Sequence, residues 1–190
     1  CVSSGIGLET SILFIKEGAN VLMADISEPA LEKAIAKVKQ LIPSHGRLET
    51  KVIYYIFSGA DAETCRMLKG CFFLVVKCDV SKEADVKALV ETLDSWGGLD
   101  VMFNNAGIMH AKDDDAVNTP EDIWDLTQNI NVKGVWFGSK HAVLSCRRHK
   151  KTKASIINTA SVVALVGAAT PQLAYTASKG GVLAMSRELG

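Results

Sequence analysis

Residues 3–25 read SSGIGLETSILFIKEGANVLMAD, and this stretch contains the features that decide the fold. It opens on a glycine-rich turn, continues as a helical pattern over residues 5–17 and ends in an apolar strand over residues 21–24. Glycines at a helix N-terminus let a phosphate approach the backbone, where free N–H groups and the helix dipole favour negative charge. Asp25 follows the strand, and a carboxylate there can accept hydrogen bonds from a ribose. Each feature alone also occurs in ordinary turns, but together they favour a nucleotide-binding unit.

Helical and strand patterns continue to alternate along the rest of the chain, which is typical of an α/β protein with a parallel sheet. Ser27 is a candidate cap for a second helix, whose apolar residues recur at spacings of four and three. Further strands are predicted over residues 74–78, 99–103 and 154–158, and further helices after residue 81, over 119–148 and over 175–188.

Composition limits the class of protein. The chain has 190 residues, 48% hydrophobic and 22% charged, which fits one globular domain rather than a disordered or membrane-spanning chain. The formal net charge is zero, so no basic excess indicates a nucleic-acid partner, and no apolar run is long enough for a membrane helix. Five scattered cysteines favour a reducing compartment, and we expect a cytoplasmic protein.

One stretch does not fit the regular alternation. A strand–helix–strand unit takes about 30 residues, whereas the two aspartates that follow apolar strands, Asp25 and Asp79, are much further apart. The surplus contains two apolar runs, and Lys51-Val52 is echoed by Val76-Lys77. We interpret residues 53–77 as an insertion, such as translated intron sequence. The alternative is a genuine additional hairpin.

A second set of residues indicates proton-transfer chemistry. In Tyr175-Thr176-Ala177-Ser178-Lys179 the tyrosine and lysine are four residues apart, so they share a helix face. An ammonium beside a phenol stabilises the phenolate, which makes a tyrosine a usable general acid and base. Ser161 follows a predicted buried strand, where its hydroxyl can polarise a carbonyl. Taken singly, each residue also fits a structural role.

The ordered set of motifs resembles the short-chain dehydrogenase/reductase family along nearly the whole chain except residues 53–77. The resemblance implies one NAD(P)-binding domain over residues 1–190, with a Rossmann-type doubly wound parallel sheet. It implies hydride transfer between a nicotinamide cofactor and an alcohol or ketone. Family members usually pair through two helices, so a homo-oligomer is also implied.

The resemblance assigns roles residue by residue. Asp25 corresponds to the adenosine-ribose ligand of NAD-preferring members, so NAD is expected rather than NADP. Asn131 corresponds to an asparagine that holds a proton-relay water, and Ser161, Tyr175 and Lys179 correspond to the catalytic serine, tyrosine and lysine. The resemblance further implies that Lys179 holds the nicotinamide ribose and that Tyr175 lies against the cofactor beside it. The other cofactor-binding positions implied are Ser3, Gly5, Ile6, Gly7, Asp79, Val80, Asn105, Ala106 and Gly107.

The sequence also departs from the family pattern. Cys1 stands where the family has the first glycine of the phosphate turn, and its Cβ would crowd that turn. The family's first strand and its C-terminal strands have no counterpart, so we expect an incomplete sheet, with the central position open to a strand of the inserted stretch. Two interpretations therefore stay open: a dehydrogenase/reductase that keeps its catalytic residues, and a non-catalytic fragment or pseudo-enzyme with at most residual nucleotide binding.

Metal binding is not expected. The four histidines show no ligand spacing, and the cysteine spacing matches no zinc pattern. Asp113, Asp114 and Asp115 form an acidic run before a helix, and we interpret them as a solvated loop.

Overall fold

A computed structural model of the chain describes residues 5–41, 50–53 and 73–190. Helices and strands alternate through these residues, as the sequence predicts. In chain order the elements are α1 (Gly5–Lys16), β1 (Ala19–Asp25), α2 (Glu28–Leu41), β2 (Thr50–Ile53), β3 (Phe73–Lys77), α3 (Glu83–Thr92), a short 3-10 turn (Leu93–Trp96), β4 (Val101–Asn104), α4 (Glu121–Gln128), a π-helical turn (Asn129–Lys133), α5 (Gly134–Arg148), β5 (Ser155–Asn158), α6 (Val163–Val166) and α7 (Leu173–Leu189).

The five strands within the described residues form one parallel sheet in the order β3-β1-β2-β4-β5. β1 pairs with β3 over five residues and with β2 over four, and β4 pairs with β5 over four. This is the partial, doubly wound α/β sheet that the sequence predicts.

The central position of the sheet is occupied by β2, between β1 and β4. Leu22 of β1 is in register with Ile53, which is in turn in register with Met102 of β4. A strand does fill the centre, but it is not a strand of the predicted insertion, because only Ile53 of β2 lies within residues 53–77. The hairpin alternative is wrong for β2 and β3, because both run parallel to β1 and lie on opposite sides of it. The insertion itself remains a prediction, since residues 54–72 lie outside the described residues.

The core lies on both faces of the sheet. Val21, Leu22 and Met23 are consecutive in β1 and fully buried, and successive side chains of a strand point to opposite faces. Helices supply the matching apolar stripes, with Ile12 and Ile15 from α1 and further residues from α2, α3 and α5.

The parallel arrangement brings the carboxyl ends of the strands to one edge. Asp25 ends β1, Asp79 follows β3 by two residues, and the Asn105–Gly107 turn follows β4. Ser161 lies three residues after β5. In open α/β sheets, ligands bind in the crevice outside these carboxyl ends. The topology alone therefore gathers these predicted site residues at one edge of the sheet.

Candidate cofactor and proton-transfer site

The first turn of α1 contains three of the predicted phosphate-binding residues. Gly5 has φ of 54°, in the left-handed region that glycine adopts without strain, and Ile6 and Gly7 follow it into the helix. The hydroxyl of Ser11 donates to the carbonyl of Gly7. The opening N–H groups of any helix lack intrahelical acceptors, so this turn suits an anion. Ser3 lies outside the described residues.

A cleft opens at the carboxyl ends of β1, β3 and β4, and its lining does not include the three residues of the α1 turn. Asp25 is a buried residue of its lining, and one carboxylate oxygen accepts the N–H of Ser27 at 3.1 Å. Apolar side chains form most of the rest of the lining. Such a cleft fits an adenosine, because apolar walls suit the flat base while a carboxylate suits the ribose hydroxyls. The lining residues are Ala24, Asp25, Ile26, Cys78, Asp79, Val80, Ala106, Gly107, Ile108 and Ile130.

Asp79 is held as an ionised carboxylate within this lining. Burial raises its pKa, but hydrogen bonds from the N–H and hydroxyl of Ser81 and the ammonium of Lys82 outweigh burial and bring the pKa below its ordinary value. Its own backbone N–H donates to Asp85 at 3.1 Å. Asp79 and the following Val80 thus form a fixed wall of the cleft.

Asn131 holds the turn that follows β4. It is fully buried in the π-helical turn, and such turns are frequent at functional sites. Its side-chain oxygen accepts the N–H of Ile108 at 2.8 Å, and its side-chain nitrogen donates to the carbonyl of Ile108 at 2.9 Å. The same nitrogen donates to the hydroxyl of Ser178 in α7. Asn131 therefore joins the Asn105–Gly107 turn to the helix that carries Tyr175.

Gly107 lies where these elements converge. A Cβ placed on it would be 3.3 Å from both the Asn131 side-chain oxygen and the Lys179 ammonium. Only a residue without a side chain leaves that space open. Asn105, earlier in the same turn, accepts a hydrogen bond from the hydroxyl of Thr159 at 3.0 Å.

Lys179 is buried with its ammonium directed at the same region. It donates to the carbonyl of Thr159 at 2.7 Å and lies 5.7 Å from the ring centroid of Tyr175. Burial lowers the pKa of this ammonium, because desolvation disfavours the charged form. The predicted helix-face pairing of Tyr175 and Lys179 is confirmed.

The geometry around Ser161 and Tyr175 is fixed by backbone contacts. Ser161 lies in the turn between β5 and α6, and its carbonyl accepts the N–H of Ala164. Tyr175 is half-buried at the third position of α7, and its carbonyl accepts the hydroxyl proton of Ser178. Thr159, whose carbonyl holds Lys179, is two residues before Ser161.

Sequence reasoning missed the part played by Asp113. Interpreting the whole acidic run as solvated is wrong for this residue, which is buried and accepts the backbone N–H groups of Ala174 and Tyr175. Asp115 is exposed, as expected, and accepts the N–H groups of Val117 and Asn118. The two contacts of Asp113 join residues 61 and 62 positions apart, so no local pattern could reveal them.

The described residues show neither a candidate metal centre nor a membrane-spanning helix. Over residues 5–41 and 73–190, histidine, cysteine and acidic side chains do not gather in groups of three that could hold a metal ion. No helix of the described part of the chain is long and apolar enough to cross a membrane.

The family of the chain follows from comparison with known proteins. Residues 46–190 match the family model described as enoyl-(acyl carrier protein) reductase, and curated relatives of the chain are named dehydrogenases and reductases. The chain belongs to the short-chain dehydrogenase/reductase family.

Individual relatives are similar to this chain over most of its length. A (+)-borneol dehydrogenase from Salvia officinalis is 32% identical, with 98% of this chain and 55% of the relative covered. A 3-oxoacyl-[acyl-carrier-protein] reductase from Thermotoga maritima is 32% identical over 97% of this chain and 62% of its own length. The structure of NAD+-bound xylitol dehydrogenase superposes with a TM-score of 0.77 at 26% identity, covering 98% of this chain and 60% of that one. The chain thus spans between half and two thirds of the length of these relatives.

Proposed function

We propose that this chain carries the cofactor-binding and proton-transfer residues of an NAD-dependent dehydrogenase or reductase acting on an alcohol or ketone. The observation that carries the proposal is the convergence at Gly107, where the Lys179 ammonium and the Asn131 side chain both lie 3.3 Å from the position of an added Cβ. The Lys179 ammonium is also 5.7 Å from the ring of Tyr175. The Gly107 turn, the buried ammonium of Lys179 and the phenol of Tyr175 therefore lie close together.

The proton transfer follows from these contacts. In the oxidation direction, Tyr175 as phenolate takes the hydroxyl proton of the alcohol. NAD held in the cleft that Asp25 lines would supply the acceptor for the hydride that leaves the carbon. Lys179 stabilises the phenolate by charge. Ser161 donates a hydrogen bond to the substrate oxygen as negative charge develops, which is worth about 3 kcal/mol for a well-placed donor. Asn131 holds the backbone of Ile108, which follows the Gly107 turn. We assign Asn131 the family's role of holding a relay water.

The cofactor preference rests on Asp25. Asp25 is buried in the lining of the cleft, where its carboxylate suits the two hydroxyls of an adenosine ribose. A 2′-phosphate would place a second negative charge beside it, which is costly at a buried position. We therefore infer a preference for NAD over NADP.

The substrate side of the site favours a neutral, apolar molecule. Residues 154–178 contain no charged side chain, and Val162 and Leu165, which follow Ser161, are 68% and 70% exposed. Relatives named for borneol and for a chlorinated cyclohexadienediol, and a structural neighbour named levodione reductase, fit such a preference. A neutral secondary alcohol or its ketone is thus the substrate class we infer.

Two copies of the chain are expected to pair through α5. Trp136, Lys140 and Leu144 recur every four residues, so they lie on one helix face. Trp136 is 48% exposed and Leu144 is 38% exposed, which leaves apolar surface for a second copy.

The decisive experiment combines binding and turnover. NAD and NADP are titrated separately into the chain by calorimetry, and turnover of neutral alcohols is compared with that of the Tyr175→Phe variant. The proposal expects NAD binding by both proteins and turnover only with Tyr175 present. Equal turnover by Tyr175→Phe would exclude the proton-transfer role. NAD binding without turnover would favour the non-catalytic alternative, and a folded chain that binds neither cofactor would contradict the proposed function.

A further inference from the structure

The N-terminus of α7 is closed by a loop from a distant part of the chain. The N–H of Leu173 donates to the carbonyl of Asp114 at 2.9 Å. The N–H groups of Ala174 and Tyr175 donate to the two carboxylate oxygens of Asp113, at 2.9 and 2.8 Å. The first three N–H groups of the helix are therefore all satisfied by residues 113 and 114.

A local cap does not supply these contacts. Gln172 precedes the helix, and its side chain makes no capping hydrogen bond. The first backbone hydrogen bond of the helical pattern is donated by the N–H of Thr176 to the carbonyl of Gln172. Opening N–H groups without an acceptor are costly when buried, and a negative charge at a helix N-terminus is stabilising. The carboxylate of Asp113, only 9% exposed, meets both needs at once.

The opposite side of Tyr175 is fixed as well. Its carbonyl accepts the hydroxyl proton of Ser178 at 2.7 Å, and that hydroxyl oxygen accepts from the side-chain nitrogen of Asn131 at 2.9 Å. The peptide groups before and after the Tyr175 Cα are therefore both held by side chains. The N–H is held by Asp113 and the carbonyl by Ser178.

The loop that contains Asp113 also starts at the cofactor turn. Asn131 holds Ile108, five residues earlier, through both backbone polar groups. Thr119 closes the loop from the other end, because its hydroxyl accepts the N–H of Asp114 at 3.0 Å and lies 3.4 Å from Asp113. Residues 108–119 thus connect the Gly107 turn to the backbone of Tyr175.

We propose that Asp113 is a positioning residue for the reaction assigned to Tyr175: its carboxylate sets the start of α7, and thereby the place of the phenol relative to the cofactor turn. This inference rests on the proposed function. Asp113 acts only through the backbone of Ala174 and Tyr175. A small displacement of a reacting group is enough to lower turnover on the order of 100-fold.

The test compares Asp113→Ala and Asp113→Asn with Asp114→Asn in the full chain. Asn keeps one side-chain oxygen as an acceptor but loses the charge and the second oxygen. Asp114→Asn removes a charge from the same loop and leaves the carbonyl that holds Leu173 unchanged. For each protein, kcat, KM and NAD affinity are measured together with hydrogen exchange at the Ala174 and Tyr175 amides.

The proposal expects Asp113→Ala to exchange faster at those two amides and to lose kcat on the order of 100-fold, with NAD affinity unchanged. Asp113→Asn should recover part of kcat, and Asp114→Asn should match the wild type. Unchanged exchange at the two amides, or unchanged kcat despite faster exchange, would overturn the proposal, as would a parallel loss of NAD affinity. If the wild type binds NAD without turnover, the proposed function fails separately. The exchange rates then decide alone whether Asp113 holds Tyr175: faster exchange supports it and unchanged exchange overturns it.

Discussion

Asn131 makes a two-point contact with the backbone of Ile108, accepting its N–H at 2.8 Å and donating to its carbonyl at 2.9 Å. An amide side chain can pair with a peptide in this way because it carries both an acceptor and a donor. The turn after β4 is thereby fixed to the π-helical turn, 23 residues further along the chain.

Replacing Asn131 by Ala should loosen this turn. The variant leaves the N–H and carbonyl of Ile108 without their partner in a partly buried place, and each such loss costs about 1–3 kcal/mol. We expect the free energy of unfolding to fall by about 2–4 kcal/mol in urea denaturation. Asn129→Ala, in the same π-helical turn, serves as the control. An equal loss in both variants would mean that the bond to Ile108 is not the cause.

A side chain at Gly107 should disturb the site more than the fold. The Cβ of Gly107→Ala would lie 3.3 Å from the Lys179 ammonium and from the Asn131 oxygen, and hydrogen bonds hold both groups. We expect a loss of about 1 kcal/mol in stability and a larger loss in NAD affinity and kcat. Calorimetry and steady-state kinetics measure these effects.

Gly180→Ala is the matched control for that substitution. Gly180 follows Lys179 inside α7, and a Cβ there meets nothing within 4 Å. Alanine is favoured over glycine in a helix interior by about 1 kcal/mol, so this variant should be more stable than the wild type. An equal loss of activity in both variants would show that the close contacts of a Cβ at Gly107 are not the cause of the loss.

Local sequence patterns account for much of this architecture but not for its long-range contacts. The spacing from Tyr175 to Lys179 places both on one helix face, because the rule acts within one turn. The burial of Asp113 depends on the N-terminus of a helix 61 residues away, which no periodicity encodes. The position of β2 likewise depends on its pairing with β1 and β4, which are distant in sequence. The four residues Thr50–Ile53 contain no local pattern that distinguishes a central strand of the sheet from an edge strand.

The buried ammonium of Lys179 should make stability depend on alkaline pH. Burial lowers its pKa in the folded chain below the ordinary 10.5, so between these two pKa values the unfolded chain binds more protons. The free energy of unfolding of the wild type should therefore rise with pH toward 10.5, relative to that of Lys179→Met. Urea denaturation at a series of alkaline pH values measures the difference. Parallel profiles for the two proteins would show that Lys179 does not titrate differently on folding.

The exposed face of α5 should determine the oligomeric state. Leu144→Asp places a charge in the apolar surface shared with Trp136, and a like charge from the second copy would face it across a two-fold axis. Light scattering after gel filtration should show a dimer or larger assembly for the wild type and a monomer for the variant. The control on the same helix face is Lys140→Gln, which changes the charge there by one unit without placing a carboxylate in the apolar surface. A wild type that is already monomeric would contradict the expected pairing.

Asp25 should determine which cofactor is preferred. In Asp25→Asn the remaining side-chain oxygen can still accept the N–H of Ser27, so the turn after β1 keeps its hydrogen bond while the charge is lost. A hydrogen bond to a charged group contributes about 1.5–3 kcal/mol, so NAD affinity should fall on the order of 10-fold or more. NADP affinity should rise, because the 2′-phosphate no longer meets a buried carboxylate. Asp79→Asn removes a charge elsewhere in the lining of the same cleft, and it should leave the ratio of the two affinities close to that of the wild type. Calorimetric titration of both cofactors into the three proteins measures this ratio, and a ratio unmoved by Asp25→Asn would exclude Asp25 as the residue that discriminates between them.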